Sequence, residues 1–359
     1  MKRRKITKAG FAGLLLLLAA ALLMGACAKP APAPAPAPAP PPAPPKEIKW
    51  NFAQWGGPRH WTSYLDKWAE DMNTQTNGQW QIKIHYGAVL AKQADFPDAV
   101  RDGLCEGATL YSIFTPGKLP LCTVLGLPFL TPTKVTDIVR LGEWVTKHPA
   151  IIEELGKWNA MVLWPTFIEP YELMGNKRIA KVEDLKGARI RIAKDAGLPL
   201  EEFGAVSVMV PTADIYTGLE RGTFDLVAPS LGAAYDYKWY EVSKYAAIDL
   251  GINTVLTFQM GNKDAWDALP DEFKKLHTAW WEEHYDDFVQ ERLDRLDEAL
   301  ALYKERLEVI NFPPDERAKL EAVSKRFWDE WVDKMEADGL PGRKLLDDVL
   351  AKRKEISGF

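Results

Sequence analysis

Between residues 48 and 262 the apolar side chains recur first at every second position, then at every third or fourth, and the switch repeats several times. Alternate positions mark half-buried strands, and steps of three and four mark amphipathic helices. The first cycle runs from a strand over 48–53 to a helix carrying Trp61, Tyr64, Leu65, Trp68 and Met72. Asn77-Gly78 ends that helix before a strand over 80–86. A helix over 96–102 and a strand over 107–112 follow. Strands separated by helices at this interval predict right-handed βαβ units and a largely parallel sheet, whose ligands lie at the carboxyl ends of the strands. Trp55, Tyr111 and Ser112 occupy such ends. A second series of alternations over 160–228 predicts a second sheet, and the β-type run 252–260 is placed to return the chain to the first. The fold class is α/β in two domains.

One segment breaks this rhythm. Phe273, Leu276, Trp280, Phe288, Leu293, Leu296, Leu300, Tyr303 and Leu307 keep steps of mostly three or four, which predicts a helix across 270–313. At 1.5 Å per residue it would approach roughly 60 Å, longer than one small domain, so it must lie across both or bend. The stripe is too aromatic and irregular for a coiled-coil seam. The aromatic group Tyr235, Tyr237, Trp239 and Tyr240 lies on or before a further helix, and packing is its commoner role.

The N-terminal region specifies a compartment. Lys2, Arg3, Arg4, Lys5 and Lys8 precede an apolar run over 11–24, the length of a signal-peptide core and too short to span a bilayer. It ends in Leu22-Leu23-Met24-Gly25-Ala26-Cys27, similar to a bacterial lipobox, so residues 1–27 read as a lipoprotein signal peptide with Cys27 the lipidated residue. Residues 28–46 are almost wholly Pro and Ala, a semi-rigid polyproline II spacer. These features predict export and a lipid anchor on a membrane, with the domain facing the periplasm or the cell exterior. The net charge of -5 becomes -10 once the five basic residues of the expected signal are removed. An acidic surface argues against nucleic acid as a partner. Besides Cys27 only Cys105 and Cys122 occur, and neither a disulfide framework nor a Cys/His zinc site is indicated.

In 181–193 a turn at Lys186-Gly187 precedes a strand in which Ile190 and Ile192 alternate with Arg189 and Arg191. Directed outward, Arg191 is an ordinary solvated residue. Directed into a cleft, its planar guanidinium suits bidentate capture of a carboxylate. The strand alone leaves both open.

A wider pattern bears on that choice. Gly103 with Glu106, Leu127-Pro128-Phe129, Asn176-Lys177, Glu183-Asp184-Leu185-Lys186-Gly187, and Arg189-Ile190-Arg191 follow one another in order. Gly204-Ala205, Tyr216, Glu220-Arg221-Gly222 with Asp225, 239–245, Asn262, Trp266, Leu269 and Pro270 complete the set. In order and spacing over more than 200 residues the chain resembles the extracytoplasmic solute-binding subunit of TRAP transporters, the DctP-like family.

The resemblance implies a two-domain fold of the periplasmic-binding-protein type, with a hinge and a long helix spanning both domains. It implies no cofactor and no enzymatic activity. The expected domains are 47–165 plus about 253–310, and 166–252 plus about 311–359. Position in the family's strand pattern makes Arg191 the partner of a ligand carboxylate. The expected partners are a small organic acid and the membrane subunits of a TRAP transporter. Trp55, Tyr111, Phe167, Tyr171 and Tyr235 are expected to enclose the ligand, with Ser112 also at the site. Two departures matter: Tyr171 stands where many acid-binding members carry a second arginine, and Leu226-Val227-Ala228-Pro229 stands where many carry polar residues. They predict a lone clamp at Arg191 and a monocarboxylate with an apolar or aromatic remainder. A ligand-sensing lipoprotein serving a membrane receptor is the alternative. An exported hydrolase is a weaker one, since no G-x-S-x-G or H-E-x-x-H motif occurs.

Overall fold

The computed structural model describes residues 47–358. The expected signal peptide, Cys27 and the Pro/Ala stretch lie outside the described residues. Within them the chain forms a five-stranded and a six-stranded sheet. In chain order the strands are β1 (Ile48–Ala53), β2 (Trp80–His85), β3 (Gly107–Tyr111), β4 (Ala160–Thr166), β5 (Leu173–Gly175), β6 (Arg189–Arg191), β7 (Val206–Val208), β8 (Leu226–Val227), β9 (Tyr245–Ile248), β10 (Thr257–Asn262) and β11 (Glu308–Asn311). The first sheet has the order β2-β1-β3-β10-β4 and the second β11-β9-β5-β8-β6-β7.

The predicted βαβ units are present: β1 pairs in parallel with β2 and β3, and β6 with β7 and β8. The antiparallel members are those that arrive from the other sheet. β10 runs against β3 and β4, and β5 against β8 and β9. Two extended crossovers, 167–172 and 249–256, carry the chain between sheets. A strand fed by a crossover runs away from it, whereas the βαβ strands run toward it. The crossovers are themselves paired, since the Tyr171 N–H donates to the Asn253 carbonyl and the Ile252 N–H to that of Tyr171, both at 2.9 Å. Glu172, 3% exposed, accepts from the N–H of Leu250 at 2.9 Å and of Gly251 at 3.3 Å. Gly251 has φ +55°, and a Cβ there would stand 2.8 Å from Thr133 Cγ2.

One face of the first sheet buries a tryptophan core. Trp50 and Trp80 meet edge to face at 5.0 Å between centroids, and Trp68 and Trp164 at 4.7 Å. Edge-to-face packing is the arrangement the ring quadrupoles favour. Within this core burial lowers the His277 pKa to about 4, and the neutral ring accepts from Trp68 Nε1 at 3.1 Å.

The long helix is Asp271–Arg306, 36 residues or about 54 Å at 1.5 Å per residue. Phe273 and Trp280 at its start join the tryptophan core, while Ala299 and Tyr303 near its end join the core of the second sheet. It stops short of the predicted end because Glu308–Asn311 leaves the helix as β11 and pairs with β9. Residues 308–311 therefore sit with the second sheet, although the sequence reading groups most of them with the first. The opposite holds at the C-terminus: helix Gly342–Ser357, expected in the second domain, packs Leu345, Leu346 and Val349 into the core of the first sheet. Helix Pro314–Ala337 serves both, with Leu320 in one core and Trp328, Val332 and Met335 in the other. Cys105 and Cys122 are buried free thiols. No helix among the described residues is long and apolar enough to cross a membrane.

Candidate functional site

The ends of β1, β3 and β6 and the crossover at Tyr171 supply the site. β1 runs into Gln54-Trp55-Gly56, a turn tied to the one after β2 by Gly87 N–H donating to the Gly56 carbonyl at 2.7 Å. β3 ends at Tyr111, with Ser112 next in chain. The Tyr111 and Tyr171 hydroxyls lie 2.9 Å apart and join the first sheet to the crossover. Burial, then the adjoining Tyr171 hydroxyl, pushes the Tyr111 phenol well above its ordinary pKa; burial raises Tyr171 as well, opposed by its hydrogen bond to Tyr111 and by the charge of Arg191. Trp55 meets Tyr111 edge to face at 5.5 Å.

The two arginines of β6 share a face of the strand, as alternation requires, but differ in their partners. Arg189 is pinned by Asp225, with Nη2 at 2.7 Å from Oδ1 and Nε at 3.2 Å from Oδ2, and it donates to the carbonyls of Gly222 and Thr223. It is a structural tie. Arg191 is half-buried, and its Nε and Nη2 donate only to the Val210 carbonyl, at 3.1 and 3.0 Å. Among the described residues no carboxylate pairs with it. Burial lowers its pKa, but a guanidinium remains a cation at any working pH.

Trp55, Tyr111 and Tyr171 thus lie together, with Ser112 next to Tyr111 in chain and Arg191 acting on Tyr171, whereas Phe167 is buried against Phe288 at 5.9 Å in another cluster. Tyr235 does not belong to that set. Its ring stacks on Tyr240 at 6.0 Å and is covered by the Arg295 guanidinium at 4.3 Å, on the core of the second sheet.

Side chains not anticipated from the sequence complete the region. Arg59 lies over the Trp55 ring at 4.2 Å and near Trp61 at 5.6 Å. Arg292, 8% exposed, lies over Phe167 at 4.6 Å and near Trp61 at 5.7 Å. Its Nη2 donates to the Phe167 carbonyl at 2.9 Å and stands 3.6 Å from Glu169 Oε1. The expected single cation at Arg191 is therefore joined by two further guanidiniums. A signal existed for Arg292, since Phe288, Arg292 and Leu296 are four residues apart and put a charge on the apolar stripe of the long helix.

The region also concentrates unsatisfied polarity. Gln54 Oε1 and Nε2, Trp55 Nε1, Arg59 Nη2, Trp61 Nε1, Ser112 Oγ, Asn253 Oδ1, and Arg292 Nε and Nη1 are buried with no hydrogen-bond partner. Buried polar atoms are nearly always paired, because leaving one unpaired costs about 1–3 kcal/mol. A concentration of them at the strand ends is the mark of a polar-ligand site.

Comparison with known proteins agrees with this arrangement. The family described as "Bacterial extracellular solute-binding protein, family 7", DctP, matches residues 54–334. The ectoine/5-hydroxyectoine-binding periplasmic protein UehA of Ruegeria pomeroyi is 24% identical over 59% of this chain and 63% of its own length. The chain thus spans a little under two thirds of that relative. A TRAP periplasmic solute-binding protein of Desulfovibrio salexigens superposes with a TM-score of 0.75 at 20% identity, covering 87% of this chain and 97% of that one. A second from Desulfovibrio salexigens, solved with bound orotic acid, gives 0.72 at 21% identity over 85% and 99%. The chain belongs to the DctP family of bacterial extracellular solute-binding proteins.

Proposed function

We propose that this protein captures an organic acid between its two sheets and delivers it to the membrane subunits of a TRAP-type transporter. The observation that carries the reading is Arg191: a half-buried cation at a strand end, with no carboxylate partner among the described residues, whose charge acts on the paired Tyr171 and Tyr111 hydroxyls. The ligand carboxylate takes two charge-assisted hydrogen bonds from the guanidinium. Trp55, Tyr111 and Tyr171 supply an aromatic wall for the remainder, and Ser112 a hydroxyl. Closure of the sheets about the crossovers excludes water, which strengthens the ion pair and stabilises the shut state. The orotic acid bound by one structural neighbour is an acid on a flat ring, which fits such a wall. Export and lipidation at Cys27 belong to the same reading, with the Pro/Ala stretch holding the domain off the membrane.

A thermal-shift screen against organic acids tests the capture, because a ligand that binds only the native state raises the melting temperature. Calorimetry on Arg191→Ala with any acid so found is expected to show affinity lowered at least tenfold. Unchanged affinity would remove Arg191 from the site, and a screen in which every acid fails would remove the substrate class.

A further inference from the structure

The two sheets end in four edge strands, β2 and β4 on the first and β11 and β7 on the second. An edge offers a row of unpaired N–H and C=O groups to other chains, and proteins blunt it with charge, proline or a bulge. β2 carries an exposed Lys83 and β11 an exposed Glu308. β4 contains Pro165, and its register against β10 shifts between Gln259 and Met260. Among the described residues β7 has none of these devices. From Phe203 to Ala213 the chain runs eleven residues without a charge, although charged residues make up 26% of the whole. Two apolar side chains of that run stand open to solvent, Val206 at 51% and Met209 at 70% exposed.

Backbone direction decides what this edge can accept. The Val206 N–H donates to the Ala188 carbonyl at 2.8 Å, and the Val208 carbonyl accepts from the Ile192 N–H at 3.2 Å, so both residues turn their polar groups to β6. Ser207 and Met209 alternate with them and turn theirs outward, where the Ser207 N–H meets the Glu201 carboxylate at 3.3 Å. In an antiparallel pair, facing residues either exchange both hydrogen bonds or exchange none. A second β7, inverted so that the two Val208 residues face each other, satisfies that rule. Ser207 of each copy then faces Met209 of the other as a hydrogen-bonded pair. Val206 of each faces Val210 of the other, apolar against apolar.

We propose that β7 is a self-association edge, through which two copies of this chain pair antiparallel about a dyad at Val208 and join their second sheets into one. The occupant is a second copy because the strand is complementary to itself when inverted, as an isologous contact requires. Charge points the same way. With the expected signal removed the chain carries -10, so two copies repel over most of their surface and approach most easily at the uncharged run. A contact of one strand is small and hence weak in free solution. Copies anchored to one membrane, as proposed above, meet at a higher effective concentration. The inference does not depend on the capture of an acid at Arg191.

The test is sedimentation velocity on the protein from about 10 µM to about 500 µM, a range suited to a small interface. A reversible monomer–dimer equilibrium is expected. Met209→Lys, which puts a charge on the open edge, is expected to keep the protein monomeric throughout. Val208→Cys is expected to give a covalent dimer under mild oxidation, because facing residues of this kind bring their Cα atoms within disulfide reach. The parent protein, whose Cys105 and Cys122 are buried, is the control. Val206→Cys alone is expected to give no cross-link, and mixing it with Val210→Cys to give one. Each variant is first checked for an unchanged circular dichroism spectrum. A parent protein that stays monomeric at the highest concentration overturns the inference and leaves the edge to a strand of another protein. A dimer that survives Met209→Lys, or a folded Val208→Cys that does not cross-link, places the contact elsewhere and overturns it too.

Discussion

The paired crossovers hold a carboxyl group whose proton reports on the fold. Glu172 is buried and accepts from the Leu250 and Gly251 N–H groups, so it ties one crossover to the other. Burial is the largest influence and pushes its pKa from an ordinary 4.5 to about 8; Asp249 adds to this, while the two backbone donors and Arg317 oppose it. The folded protein therefore keeps a proton that the unfolded chain releases, and stability is lost as pH rises through that window. At about 1.4 kcal/mol per pH unit the loss between pH 4.5 and 8 is roughly 5 kcal/mol, a large share of a typical total. Glu172→Gln places a neutral isostere on the same two donors. Urea denaturation from pH 5 to 8.5 is expected to show the variant as stable as the parent at pH 5 and more stable, by several kcal/mol, at pH 8.5. Other buried titrating groups such as Glu154 contribute equally to both proteins and cancel in the comparison. Parallel curves would mean that Glu172 is ionised in the native state, and the account of the crossover would fail.

Three shorter expectations follow. Arg191→Lys keeps the charge but loses the planar fork, so acid binding should weaken about tenfold with little change in melting temperature, since the side chain donates only to Val210. Gly251→Ala forces a side chain onto φ +55° and against Thr133, and should cost about 1–3 kcal/mol in chemical denaturation; a neutral result would show that the crossover relaxes freely. Cys27→Ser should abolish incorporation of labelled palmitate and move the protein from the membrane to the soluble fraction, and retention at the membrane would refute the anchor.

The βαβ regions were legible because period-2 runs such as 80–86 and 189–193 lie between helical stripes, and a glycine or a proline marks most of the boundaries. Short strands were not. β9 and β11 have four residues each, too few for a period to show, and both lie next to helical patterns that absorbed them. The domain of the last helix was equally hidden, since amphipathicity shows that a helix has an apolar face but not which sheet receives it. Among the candidate site residues, Tyr111 and Ser112 follow from their place at the end of β3. Arg59 depends on how a Gly-Gly-Pro turn folds back, which side-chain spacing does not encode. Tyr235 shows a different gap: an aromatic cluster carries no sign of the face it turns to a cleft, and this ring packs on Tyr240 and under Arg295.

The geometry of the crossovers also constrains how the site can work. Arg317 donates to the Leu250 carbonyl at 2.8 Å and to that of Thr131 at 2.9 Å, and Arg353 donates to Leu130 at 2.8 Å. Glu321 accepts from both arginines, at 3.1 and 2.8 Å. Helices Pro314–Ala337 and Gly342–Ser357 therefore clamp the crossover to the 129–131 loop, which is where the expected hinge would be anchored. Tyr171 lies on this crossover, with its hydroxyl 2.9 Å from that of Tyr111. Arg191 does not: in the order β5-β8-β6 its strand is two places from the crossover strand, about 10 Å at ordinary strand spacing. On the proposed capture, the residue expected to meet the carboxylate is thus the one farther from the clamped crossover, while the hydroxyl pair lies on it. The same proposal expects a ligand to meet the wall beside the crossover first, with the approach of β6 completing its enclosure.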